Sequence, residues 1–102
     1  MIIICPTHGA TDAVMVAPDL ADHLDNNTVQ ESLVIIAYEC MGDIVQSYFL
    51  SEEFARTYGI SASARQEIPE DYPEFVFRCK GYCRKCFEEK TGKSAEALEA
   101  DI

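Results

Sequence analysis

Two short turns near opposite ends of the chain, Cys5-Pro-Thr-His8-Gly9 and Cys83-Arg-Lys-Cys86, carry ligand-type side chains at the same two-residue gap. That gap lets both side chains of one tight turn reach a common point, which is why it recurs in metal-ligand pairs. If the two pairs meet, the early and late parts of the chain must come together, and residues 10 to 82 become an insert closed by the clip. Three thiolates and one imidazole are a donor set suited to tetrahedral Zn2+. Cys5, His8, Cys83 and Cys86 are therefore the expected ligands of one structural zinc ion. Pro6 shapes the first turn, and Gly9 can take the positive φ that lets backbone N–H groups approach a sulfur. Phe87-Glu-Glu-Lys continues the second turn as a helix, which places those cysteines at a helix N-terminus, where the dipole favours thiolate.

A Cys-Pro-x-ligand-Gly knuckle paired with a Cys-x-x-Cys that opens a helix resembles the treble-clef and zinc-ribbon class of zinc fingers. The resemblance covers residues 5 to 9 and 83 to 87, with His8 where many members have cysteine. Its separation is longer than in compact members, so it implies a globular insertion between the pairs. Cys79, four residues before Cys83, and Cys40 are the alternative ligands. For Cys40 the plainer reading is a small buried apolar residue, and for His23 a helix-surface or satisfied core histidine.

Five cysteines among 102 residues cannot all pair, and MIIIC has no basic segment, long apolar run or cleavage site of an export signal. A cytoplasmic location with reduced, metal-binding thiols is the expectation. The length is that of one domain, 1–102, and an apolar fraction of 48% is that of a globular chain. So short a domain has a small core, and a metal clip would contribute substantially to its stability.

Ile2 to Ile4 and Ala13 to Ala17 read as strands of a hairpin around the knuckle, and Pro18-Asp19 opens a short helix with Leu20, Ala21 and Leu24 on one face. Residues 33–50 are the most apolar stretch. Leu33, Ala37, Cys40, Ile44 and Tyr48 recur at helical spacing behind a Thr28/Glu31 capping box. The β-branched and aromatic content around Met41-Gly42-Asp43 favours instead strands near 33–40 and 43–50, because glycine suits a turn better than a helix interior. Ser51-Glu-Glu-Phe-Ala-Arg-Thr-Tyr-Gly59 has an N-cap serine, acids in the first turn and a terminal glycine, the marks of a helix. After a polar connection over 61–74, Phe75-Val-Phe-Arg-Cys79 reads as a further strand, and a last helix from Phe87 frays after Thr91-Gly92. The expected fold is α+β: a small antiparallel sheet with two or three short helices, closed by the zinc site.

The net charge is −10, yet every Lys and Arg lies at Arg56 or later, while nine acids fall in residues 1–55. Arg78, Lys80, Arg84, Lys85, Lys90 and Lys93 crowd the last cysteines. Such polarity favours a binding or regulatory module whose acidic half meets a basic protein. Two other classes compete. Residues 50–68 resemble part of a helix-turn-helix, which with the basic strip 78–93 would make a nucleic-acid-binding regulator, although Arg65 and Pro69 fall badly for that motif. Cys83 and Cys86 could cycle as the dithiol of a redox enzyme, and Cys-Pro-Thr-His8 resembles a thioredoxin-type turn without its resolving thiol. Asp22-His23 resembles the core of His-Me finger nucleases but lies some sixty residues from the second pair. No catalytic residue set emerges, so an enzyme is the less favoured class.

Overall fold

A computed structural model of the chain describes residues 2–28 and 32–102. Its elements run β1 (Ile2–Cys5), β2 (Gly9–Val16), α1 (Pro18–Asp25), β3 (Leu33–Cys40), β4 (Asp43–Ser51), α2 (Glu52–Thr57), β5 (Ala64–Glu67), α3 (Glu74–Arg78), β6 (Lys80–Cys83), α4 (Arg84–Thr91) and α5 (Ala95–Ala100). The α+β class stands, but the sheet is larger than the sequence suggests and is mixed. Six strands take part, in the order β1-β2-β4-β3-β5 with β6 also on β2. The β2/β4 and β3/β5 pairs are parallel and the other three antiparallel. Five helices are present among the described residues where two or three were expected.

Strand β2 organises the molecule because its two halves have different partners. Gly9 to Asp12 pair with β1, whereas Ala13 to Val16 pair with β6 and, through Met15 and Val16, with β4. One strand thus ties the N-terminal knuckle, the C-terminal segment and the central hairpin together. That hairpin, β3/β4, is the apolar stretch in its strand form. Met41 at φ 55° and Gly42 at φ 88° make the two-residue turn with both centres left-handed, the geometry that matches strand twist. The capping box invoked for the helical alternative rests on Glu31, which lies outside the described residues.

Three local expectations change. Phe75 to Cys79 is not a strand: α3 starts after Pro73, whose fixed φ of −59° suits a helix entry, and has Glu74 in its first turn and Arg78 in its last. Alternation would have put Phe75 and Phe77 on one face, but a helix points them apart, so Phe75 is buried and Phe77 is 75% exposed. The strand follows one residue later, as β6. Residues 64–67 form β5, parallel to β3, so the second helix of a helix-turn-helix over 50–68 is absent. Finally, α4 stops cleanly at Gly92 in the left-handed conformation, and Ser94 caps a further helix, α5, whose Leu98 packs on the core.

The core lies between the central hairpin and its helices, with Val16, Leu20, Leu24, Phe49, Leu50 and Phe87 almost fully buried. Ser51 is buried where β4 turns into α2. Its Oγ accepts from Phe54 N–H at 3.0 Å and donates to Asp19, whose other oxygen accepts from Leu20 N–H. Replacing Ser51 by Ala removes a cap and strands one carboxylate oxygen, so Ser51→Ala should cost about 2 kcal/mol in urea unfolding. A loss below about 0.5 kcal/mol would mean that this junction is not held by the hydroxyl. Among the described residues no helix is long and apolar enough to cross a membrane.

Candidate metal centre

The first ligand pair is built by the β1/β2 hairpin. Cys5 and Gly9 face each other across its mouth, and Gly9 at φ 71° closes the three-residue loop. The turn directs the backbone N–H groups of His8 and Thr7 at the Cys5 sulfur. The second pair is built where β6 becomes α4. Cys83 is the N-cap residue, its sulfur accepting from Cys86 N–H at 3.4 Å, and Cys86 lies in the first turn. Pairing of β6 with β2, Cys83 opposite Ala13, carries the second pair to the first.

All four donor atoms lie within 4.8 Å of one another. Cys5 Sγ is 3.5 Å from Cys86 Sγ, and His8 Nδ1 is 3.6, 3.6 and 3.4 Å from the sulfurs of Cys5, Cys83 and Cys86. Zinc bonds of about 2.3 Å to sulfur and 2.0–2.1 Å to nitrogen give tetrahedral edges of about 3.8 Å (S to S) and 3.6 Å (S to N). The observed separations are close to those edges. The group is compatible with zinc, and it joins residues near the two ends of the chain.

His8 presents Nδ1 to the thiols, and its Nε2 is 3.0 Å from Glu89 Oε1. Glu89, one helical turn beyond Cys86 on α4, was missed from the sequence. Its only sequence signal is the three-residue spacing that stacks it over Cys86. A carboxylate on the far nitrogen fixes a ligating histidine's tautomer and orientation. Glu89→Gln should therefore weaken zinc binding about 10-fold, within the 10–100-fold range for such partners, in a chelator competition. Unchanged affinity would show that the turn alone orients His8.

Electrostatics within the cluster favour one charged pair. The N–H groups of His8 and then Thr7 bring the Cys5 thiol down to about 6, helped by the His8 ring. The bond to Cys5, then Glu89 and Cys83, raises His8 to about 9. Burial and the neighbouring thiols push Cys86 up to about 12. Without metal, Cys5 is thus the thiolate at neutral pH, with His8 protonated and Cys86 still a thiol.

The alternative ligands lie outside this group. Cys79 is the buried C-cap of α3, its thiol pushed up to about 12 by burial, a packed and unreactive group. Cys40 is exposed rather than buried, because it is the last residue of β3, beside the Met41-Gly42 turn. His23 is half-buried on α1 and takes no part. Nearby, Tyr82 donates to Asp25 at 2.9 Å and Lys90 to the Leu24 carbonyl at 3.0 Å, tying the end of α1 to β6 and α4. No known protein family matches this chain, and neither a curated protein nor a solved structure is measurably similar to it.

Proposed function

We propose that the protein is a structural-zinc binding module of treble-clef type, whose acidic face docks a basic protein partner. The carrying observation is the Cys3His group at near-tetrahedral spacing, drawn from a knuckle hairpin and a helix N-terminus. With four protein donors an ion has no open position for water or substrate, the mark of a structural rather than a catalytic site. The zinc holds β1, β2 and α4 together, and the folded surface does the binding.

Among the described acids of the first half, Asp12, Asp22, Asp43, Glu52 and Glu53 are exposed with no side-chain partner among the described residues, whereas Asp19 is held by Ser51, Asp25 by Tyr82 and Glu39 by Arg65. Free carboxylates are the ones able to meet a partner's cations. The test compares wild type with Asp12, Asp22 and Asp43 changed to Lys, in pull-downs and in binding to mixed-sequence DNA and RNA at two salt concentrations. Protein capture lost in the variant supports the reading. Tight nucleic-acid binding that weakens steeply with salt and vanishes in Arg84→Ala/Lys85→Ala would replace it with a regulator using the basic strip. Reversible loss of two thiols with turnover of a disulfide substrate would replace it with a redox enzyme.

A further inference from the structure

Away from the metal centre, a hollow of about 430 Å³ opens between β3, β5, the loop 59–63 and the start of α3. Its size falls within the range of small-molecule sites. Ile36 and Tyr38 of β3, Ile60 of the loop and Phe75 of α3 supply apolar surface, and Ser63 and Gln66 add polar groups. The frame is fixed: Ile60 N–H bonds the Ala55 carbonyl at 2.9 Å, and Ser63 Oγ accepts from Ile35 N–H at 2.8 Å. At the rim, the Tyr58 hydroxyl is engaged by Arg78 at 2.8 Å and Glu74 at 3.3 Å.

Tyr38 is the second, independent sign of a ligand. The residue is 1% exposed, and its hydroxyl has no hydrogen-bond partner among the described residues. A buried phenol normally finds one. The hydroxyl is nevertheless not sealed in, since Ser47 Oγ is the sealed, unpartnered side-chain oxygen among those residues. It therefore reaches open space, and Tyr38 borders the hollow. Rings at 5.9 and 5.5 Å, from Tyr48 and Tyr72, hold the Tyr38 ring edge-on and fix its direction.

We propose that this hollow binds a small, flat, uncharged aromatic molecule, with the Tyr38 hydroxyl as its hydrogen-bonding anchor. No charged side chain lines the hollow although the chain carries a net charge of −10, so an ion would leave its countercharge unpaired there. The half-buried Tyr58 ring, Ile60 and Pro73 offer accessible apolar surface for a ring face, over a floor of buried Ile36, Tyr38 and Phe75. A molecule with one polar edge satisfies Tyr38 and keeps Ser63 or Gln66 for the other end.

Indole is a suitable probe because the chain has no tryptophan, so indole fluorescence reports on the ligand alone. Titrating zinc-loaded protein with indole should give saturable binding below about 1 mM, with amide shifts in NMR spectra confined to residues around Tyr38, Ile60 and Ser63. Tyr38→Phe keeps the ring and should weaken binding about 5–10-fold, the loss of one hydrogen bond. Ala64→Leu should abolish it by filling the hollow. A benzoate control should bind at least 10-fold more weakly. Absence of saturation at 5 mM indole, or shifts scattered over the surface, would overturn the proposal. So would unchanged affinity in both variants, provided their amide spectra show them folded.

Discussion

Stripping zinc from the protein with a high-affinity chelator is expected to abolish its cooperative thermal transition or to lower Tm by tens of degrees. Structural zinc contributes on the order of 10 kcal/mol in finger peptides, as much as the whole stability of many domains. For a chain of 102 residues each kcal/mol corresponds to roughly 4 °C. The loss should be large here because the four donors join β1, β2, β6 and α4, and no disulfide among the described residues replaces that link. Cys83→Ser and Cys86→Ser should fail to retain metal, while Cys40→Ser, at an exposed hairpin end, should keep one zinc per chain. Binding must also release protons. At pH 7 His8, raised to about 9, and Cys86, at about 12, are both protonated in the metal-free protein, so at least two protons leave as zinc enters. Affinity therefore rises with pH through neutrality. Below about pH 6 the Cys5 thiolate takes up a proton as well, and the fall steepens. Calorimetry in buffers of different ionisation enthalpy gives the proton count. A melting temperature indifferent to the chelator, or zinc retained by Cys86→Ser but lost from Cys40→Ser, would remove the metal assignment.

Phe87→Ala should be the most damaging core substitution near the site. Phe87 follows Cys86 directly, is fully buried, and packs its ring 4.9 Å from that of Phe49 on β4. It anchors α4, and with it Cys83, Cys86 and Glu89, to the central hairpin. Truncating a buried phenylalanine costs about 3–5 kcal/mol through lost transfer energy and the cavity left behind. Phe77→Ala is the matched control: the same residue type on another short helix, but 75% exposed, and expected to cost under about 0.5 kcal/mol. Urea unfolding of the zinc-loaded variants measures both. Equal costs would mean that α4 is held by the metal alone, and zinc affinity in Phe87→Ala should then be unchanged.

Much of this protein is determined by short-range sequence. The two-residue gaps, Pro6 and Gly9 specify the knuckle; Ser51 and Gly59 bound a helix; Met41-Gly42 forces the hairpin. Each works through a few consecutive residues, so each is visible in the one-dimensional chain. The four candidate ligands were legible for the same reason. What the sequence could not decide depends on which surfaces meet. Phe75 and Phe77 alternate as a strand would while Pro73, Glu74 and Arg78 suit a helix, and the neighbours that bury Phe75 and leave Phe77 in water select between the two. The polar run Ala64–Glu67 becomes a strand because β3 presents a free edge to it, a partner some 28 residues distant in the chain. Glu89 and Tyr38 gain their roles from residues 81 positions away or from a hollow made by four separate segments. Non-local contacts of that kind leave no periodicity or spacing behind. They arise when the chain trades its conformational entropy for buried surface, and that exchange is settled by the whole fold.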